Sequence, residues 1–146
     1  MQTKLDNAVT TFRGGYNCAQ AVLSAHCEDL NLDRNTALRL ACGFGAGMAR
    51  RQDVCGAVSG GIIVLGLRHG RGLNDDRSAT ETTYARARDL MERFRLRHGT
   101  CVCRELLNGC NLATPEGQAA FRSDDLLNRV CVPCIQSVMT ILDEPG

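Results

Sequence analysis

The residues of this chain that could do chemistry are its nine cysteines: Cys18, Cys27, Cys42, Cys55, Cys101, Cys103, Cys110, Cys131 and Cys134. An odd number cannot all pair within one chain. The N-terminal segment has no apolar h-region of a secretory leader, so the expected setting is cytoplasmic. Structural disulfides are disfavoured there, and such a count of thiols points to metal, redox chemistry or both. Some of the nine are expected simply as small buried hydrophobes.

Three cysteines share a local placement. Cys18 follows Asn17, Cys55 follows Asp53 and Cys103 follows Thr100, each in the expected first turn of a helix. Free backbone N–H groups and the positive helix end stabilise a thiolate there, the form that binds metal and attacks electrophiles. Arg50, Arg51 and Arg104 would add to that effect if they fold nearby. Cys131 and Cys134, three apart, share one helical face. Haem attachment would need His where Ile135 stands, and no βαβ pattern supports a thioredoxin-like site. Metal or cluster ligation, or a resolving thiol, remains for that pair.

Cys101 cannot point with Cys103 in a regular helix, and its role is open. Cys110 sits in the loop Asn108–Asn111, where it could be a further ligand. Cys27 and Cys42 fall on apolar helix faces and read as structural. His26, His69 and His98 are isolated, and the last two precede glycines at helix ends, against the C-terminal dipole. No Ser/His/Asp set, carboxylate pair or P-loop is present.

The elements that must position these thiols read as helices. Apolar spacing predicts them over 2–12, 18–30, 33–44, about 53–69, about 75–98 and 101–108, one from Thr114-Pro115, and a last one over 124–144. Asn17 with Gln20 forms a capping box, Asp53 is the expected cap of the helix over about 53–69, and Gly99 stops the long helix. Gly43, Gly45 and Gly47 superficially resemble a dinucleotide fingerprint. The third glycine of that motif would fall at Met48, however, and a helix rather than a strand precedes. Positive-φ turns and close backbone approach are the expected roles. Gly56 with Gly60, and Ala57 with Gly61, make smooth faces for a neighbouring helix.

No segment alternates as a strand would. The expectation is an all-α single-domain bundle, residues 1–146, of about six to eight helices around the central apolar helix (about 53–69). That helix could equally serve a homodimer. A net charge of +1 gives no reason to expect nucleic acid, and Arg86, Arg88, Arg93, Arg95 and Arg97 read as a solvated face. The longest apolar run, 60–67, is far short of the roughly 20 residues that span a bilayer, so no membrane insertion is expected.

Asn17 to Val22, then GFGAGMARRQDVCGAVSGGIIVLGL from Gly43 to Leu67, CRELLNGC from Cys103 to Cys110, and Cys131 ahead of Ile141-Leu142 together resemble the redox-active C-GCAxxG-C-C family. The central element is Cys55-Gly56-Ala57-Val58-Ser59-Gly60, and the likeness covers nearly the whole chain. It implies that Cys18, Cys55, Cys103 and Cys131 are the four family cysteines. Cys27, Cys101 and Cys134 are then additions, and Cys110 holds a less strict position. It also implies a helical, redox-related protein, similar to domains joined to electron-transfer modules. The leading expectation is an iron–sulfur cluster held by Cys18, Cys55, Cys103 and Cys131, with Cys110 and Cys134 as possible further ligands, passing electrons to a redox partner protein. One alternative is a metal-free thiol–disulfide oxidoreductase in which Cys55 or Cys18 attacks and Cys131 or Cys134 resolves. Another is a zinc-stabilised interaction module, against which the single CxxC argues.

Overall fold

A computed structural model describes residues 3–144; the expected helix start at residue 2 and the ends of the expected domain lie outside the described residues. The fold is all-α, with 70% of the chain helical. Helix α1 (Lys4–Arg13) starts on a reciprocal capping box between Thr3 and Asp6 and buries Ala8, Val9 and Phe12. Helix α2 (Cys18–Ala25) starts on the expected Asn17–Gln20 box, and every residue from Cys18 to Ser24 is buried. Helix α3 (Arg34–Ala41), capped by Asp33, lies at the surface and runs into a 3₁₀ turn, Cys42–Phe44. The turn α4 (Gly45–Met48) has left-handed residues inside it. Helix α5 (Gly56–His69) is followed by α6 (Arg77–His98), short α7 (Cys103–Leu106), α8 (Pro115–Ser123), a π turn (Leu127–Cys131) and α9 (Val132–Asp143). As expected, Thr114 caps α8 and Gly99, at φ 88°, ends α6.

Two buried helices, not one, form the axis. Helix α5 packs most extensively on α2, and α6 and α9 close the other side of α5, while α1 covers α2 and α9. The α2–α5 contact is close because Gly60 has no side chain: a Cβ there would lie 2.9 Å from the Ala19 carbonyl oxygen and 3.0 Å from Ala19 Cα. On its far side a Cβ at Gly61 would meet Val138 and Leu90 at 2.8 and 2.9 Å. The glycine face thus serves helix packing.

Several boundaries differ from expectation. The helix expected over 101–108 behind Thr100 spans only Cys103–Leu106, with Val102 at its cap position, and the one expected over 33–44 ends at Ala41. Helix α2 stops at Ala25 rather than continuing to residue 30. His26 turns its N–H back to Leu23 and Ser24, its ring Nδ1 bonds the Val22 carbonyl at 2.9 Å, and the chain then reverses through Asn31 at φ 52°. Helix α5 is not capped by Asp53 but begins at Gly56 with Cys55 as the cap residue. Residues 53–55 instead run extended beside 101–103. Cys55 N–H bonds Cys101 O at 2.8 Å and Cys103 N–H bonds Asp53 O at 2.6 Å. Bridge Val54–Val102 is the sole β pairing among the described residues. The C-terminal helix opens as a π turn, in which Val132 N–H reaches back to Leu127 O. Pro133, which has no N–H to donate, sits one residue further on.

Gly60→Ala should destabilise the reduced protein by about 1–3 kcal/mol, because the neighbour to be displaced is backbone rather than a mobile side chain. Urea denaturation of wild type and variant under reducing conditions measures it; equal midpoints would mean that α2 and α5 can separate without cost.

Candidate functional site

The starts of α2, α5 and α7, the π turn and the first turn of α9 meet around one cavity of about 350 Å³. Five thiols line it: Cys18, Cys55, Cys103, Cys131 and Cys134. The four family cysteines expected from the sequence are all there, and so is Cys134. All are buried except Cys131, which is half-buried. Phe12, Leu106, Leu107, Leu112, Phe121 and Val130 supply most of the remaining wall.

Each thiol is placed by an element end. Cys18 occupies the first turn of α2, behind the Asn17 cap, and Asn17 is itself pinned by its Nδ2 donating to Cys42 O at 2.9 Å. Gly45 leaves room for Asn17; a Cβ there would stand 2.2 Å from the Asn17 amide nitrogen. Cys55 ends the extended segment and begins α5. Cys103, one hydrogen bond across from Asp53, begins α7. Cys131 closes the π turn and Cys134 follows one turn later, so the CxxC pair faces the cavity together. π turns recur at functional sites because they re-aim side chains that a regular helix would space differently.

The thiols influence one another most strongly in two pairs. Cys131, beside Cys18, together with burial raises the Cys18 pKa well above the ordinary value. Cys134 lies beside Cys55. The Cys55 thiol is thereby lowered below its ordinary 9.0, helped by the N–H groups of Ala57 and Val58 at the start of α5 and opposed by burial. The partner in that pair, Cys134, is driven strongly upward, chiefly by Cys55 and then by burial. Cys103 is pushed up to about 12 by burial and by Cys55 and Cys131, with Gln52 and Arg104 pulling the other way. Helix-start placement alone therefore does not make a thiolate here. Only Cys55 keeps a depressed pKa, because it also has a thiol donor. Of the arginines expected to assist, Arg104 alone acts, on Cys103; Arg50 and Arg51 are not among the groups that shift any cysteine.

Four cysteines stand elsewhere. Cys101 donates to Met91 O at 3.3 Å and faces α6. Cys110, expected as a further ligand, lies in a neighbouring hollow and donates to Gly117 O at 3.2 Å. The Gln52 side chain holds its loop there, with Nε2 donating to Cys110 O at 2.6 Å and Oε1 accepting from Leu112 N–H at 2.9 Å. Cys27 is buried and bonded to Ser24 O at 2.6 Å. Cys42, expected on an apolar face, is exposed, because α3 ends one residue before it. Of the histidines, His98 bonds Ser137 Oγ at 2.8 Å and packs on Phe94, tying α6 to α9.

The wall beside Cys103 is a left-handed turn in which the positive φ expected at the loop glycines is met at Gly47 and extends to non-glycine neighbours that the sequence did not disclose. Ala46, Gly47, Met48, Ala49 and Arg50 run consecutively at φ 53°, 67°, 69°, 54° and 65°. For a non-glycine residue this conformation costs roughly 1–2 kcal/mol. The turn is braced from outside, by Ala49 N–H to Gly43 O at 3.1 Å, Gln52 N–H to Ala46 O at 3.2 Å and Asp53 N–H to Gly47 O at 2.9 Å. Of the three loop glycines only Gly47 takes a positive φ, and it is also tightly enclosed. A Cβ there would lie 2.6 Å from Gln52 Cα and 2.8 Å from Cys103 Cβ. Gln52, 2% exposed and at φ 58°, is the residue at this site that sequence reasoning missed. Its position in a short polar stretch carried no sign of burial.

No three His, Cys, Asp or Glu side chains among the described residues converge on the position of a single metal ion. A helical bundle whose element ends gather thiols around one apolar cavity is a cysteine-based redox domain in class. The chain belongs to the family described as "Putative redox-active protein (C_GCAxxG_C_C)", which matches residues 16–145. No curated protein and no solved structure matches it.

Lowered pKa means that the Cys55 thiolate forms at lower pH than that of a free cysteine, whereas the Cys18, Cys103 and Cys134 thiolates form above it. In reduced, metal-free protein the first rise of thiolate absorbance with pH should have its midpoint below 9.0 and should vanish in Cys55→Ser. A first rise that survives Cys55→Ser would place the reactive thiol elsewhere.

Proposed function

We propose that this protein holds an iron–sulfur cluster in the five-thiol cavity and transfers electrons through it. The observation that supports this reading best is the gathering of Cys18, Cys55, Cys103, Cys131 and Cys134 from separate elements onto one enclosed apolar space. Cluster sites take four thiolates, and single-ion zinc sites need their donors to converge on one point. The donor set here is ample for the first and is not arranged for the second. Cys18, Cys55, Cys103 and Cys131 would be the ligands, with Cys134 held against Cys55 as a fifth thiol. A bound cluster would supply one-electron transfer. The protein's own contribution is the environment: Cys55 stands at the N-terminal end of α5, whose first N–H groups favour its thiolate, Gln52 favours the thiolate of Cys103, and the wall is mostly apolar. Hydrogen bonds to sulfur and exclusion of solvent are the levers that set a cluster's potential.

Anaerobically purified protein should be coloured and contain iron and acid-labile sulfide. Serine at Cys18, Cys55, Cys103 or Cys131 should lower both severalfold, while serine at Cys27 or Cys110 leaves them unchanged. Colourless protein lacking iron and sulfide would sink this reading.

A second reading is favoured by the Cys55–Cys134 contact alone. A thiolate bonded to a protonated thiol is the starting point of thiol–disulfide exchange. Cys55 would attack an external disulfide, releasing one of its halves as a thiol. Cys134 would then displace the other half, leaving a Cys55–Cys134 disulfide. Under this reading mild oxidation removes two titratable thiols reversibly, and peptide mapping assigns them to Cys55 and Cys134.

A further inference from the structure

The cavity has a second chemical character that neither thiol ligation nor thiol exchange uses. Two arginines, Arg50 from the left-handed turn and Arg122 from α8, line it, and both are exposed while the thiols lie deeper. No Asp or Glu is among the lining residues described. The ion pairs among the described residues lie elsewhere: Lys4 with Asp29, Arg77 with Glu81, and Arg93, Arg95 and Arg97 with Asp89, Glu92 and Glu144. Neither Arg50 nor Arg122 makes a side-chain hydrogen bond or ion pair to any described residue. The same lining includes a half-buried apolar collar of Leu106, Leu112, Phe121 and Val130.

We infer that the mouth of this cavity is a binding site for a small organic anion. Its carboxylate or phosphate would sit on Arg50 and Arg122, and its apolar body would rest within the collar, pointed at the thiols. Concave, mostly apolar pockets of about 300–1,000 Å³ with a few polar groups at fixed places are the usual form of small-ligand sites, and this cavity is of that size. Guanidinium is the side chain best suited to a planar carboxylate or a phosphate, which it can bond at two points. A wall held in left-handed backbone at Arg50 fixes where that side chain leaves the chain. The inference goes beyond the cluster reading, because arginines and collar are present whether or not iron is bound.

The test is calorimetric titration of the purified protein, its iron content measured beforehand, with three probes: phenyl phosphate, inorganic phosphate and benzyl alcohol. Phenyl phosphate carries both charge and apolar body and should bind once per chain, more tightly than either of the others. Arg50→Gln with Arg122→Gln should weaken it by at least about tenfold and leave benzyl alcohol unchanged. Phe121→Ala should weaken phenyl phosphate and not inorganic phosphate. Both arginines are exposed, so the double variant should keep its helical circular dichroism, which confirms that it folds. Phenyl phosphate bound no better than inorganic phosphate would overturn the inference, and would instead mark the arginines as a surface for an acidic protein. Tight binding that survives the double substitution would overturn it too. Absence of iron with phenyl phosphate still bound would reject the cluster reading alone.

Discussion

The close approach of α5 to α2 is the contact on which the rest of the structure depends. Backbone meets backbone at Gly60 and Ala19, and at Gly56 a Cβ would stand 3.1 Å from Cys18 Cβ and 3.2 Å from the Phe44 carbonyl. This one packing does two things. It buries two apolar helices against each other, and it brings their starts together, so that Cys18 and Cys55 face the same space. A larger residue at either glycine would push apart the helices and the two thiols at once. The motif Cys55-Gly56-Ala57-Val58-Ser59-Gly60 is therefore a packing device as much as a chemical one. Its cysteine lines the cavity, and its glycines decide where that cysteine is.

The remaining thiols arrive by less regular means. Cys103 is delivered by a strand-like pairing of 101–103 with 53–55, which couples its position directly to that of Cys55. The same segment is buttressed by the left-handed turn at Ala46–Arg50, whose four non-glycine residues are costly there. Strained backbone of this kind persists only where surrounding contacts over-determine it, and it concentrates at functional sites. Here the contacts are the carbonyls of Gly43, Ala46 and Gly47 and the buried amide of Gln52. Cys131 and Cys134 come from the opposite side, where a π turn ahead of Pro133 sets their direction. Rigid helices thus fix two of the thiols, and irregular backbone fits the other three to them.

That division decides what could be read from the sequence. The helices were legible, because apolar spacing and caps act locally: the Asn17–Gln20 box, Thr114 ahead of Pro115, and Gly99 after α6 all hold in the structure. The grouping of Cys18, Cys55, Cys103 and Cys131 was legible too, through helix starts and through likeness to the family. Errors fell where a distant segment overrode a local preference. Asp53 has the side chain of a good cap, but its carbonyl is engaged by Cys103, which holds the chain extended for two more residues. Cys110 carries no local sign that Gln52, far away in sequence, holds its loop in another hollow. The left-handed turn was illegible for the same reason. Glycines at 43, 45 and 47 suggested positive φ at all three, yet two of them serve other needs, and alanine, methionine and arginine take that conformation instead.

Placing thiols at the junction of rigid and irregular elements has a chemical consequence. Cys55 has its pKa lowered, chiefly by the neighbouring Cys134 thiol, while those of Cys18, Cys103 and Cys134 are raised. Five thiolates packed together without a counter-charge would repel one another in an apolar space where water cannot screen them. Burial and neighbouring thiols oppose such a build-up by raising the pKa values of Cys18, Cys103 and Cys134. Binding a cationic metal cluster, or forming a disulfide, would remove that repulsion by opposite routes, the one neutralising the thiolates and the other consuming them. Both routes release protons from the same buried sulfurs.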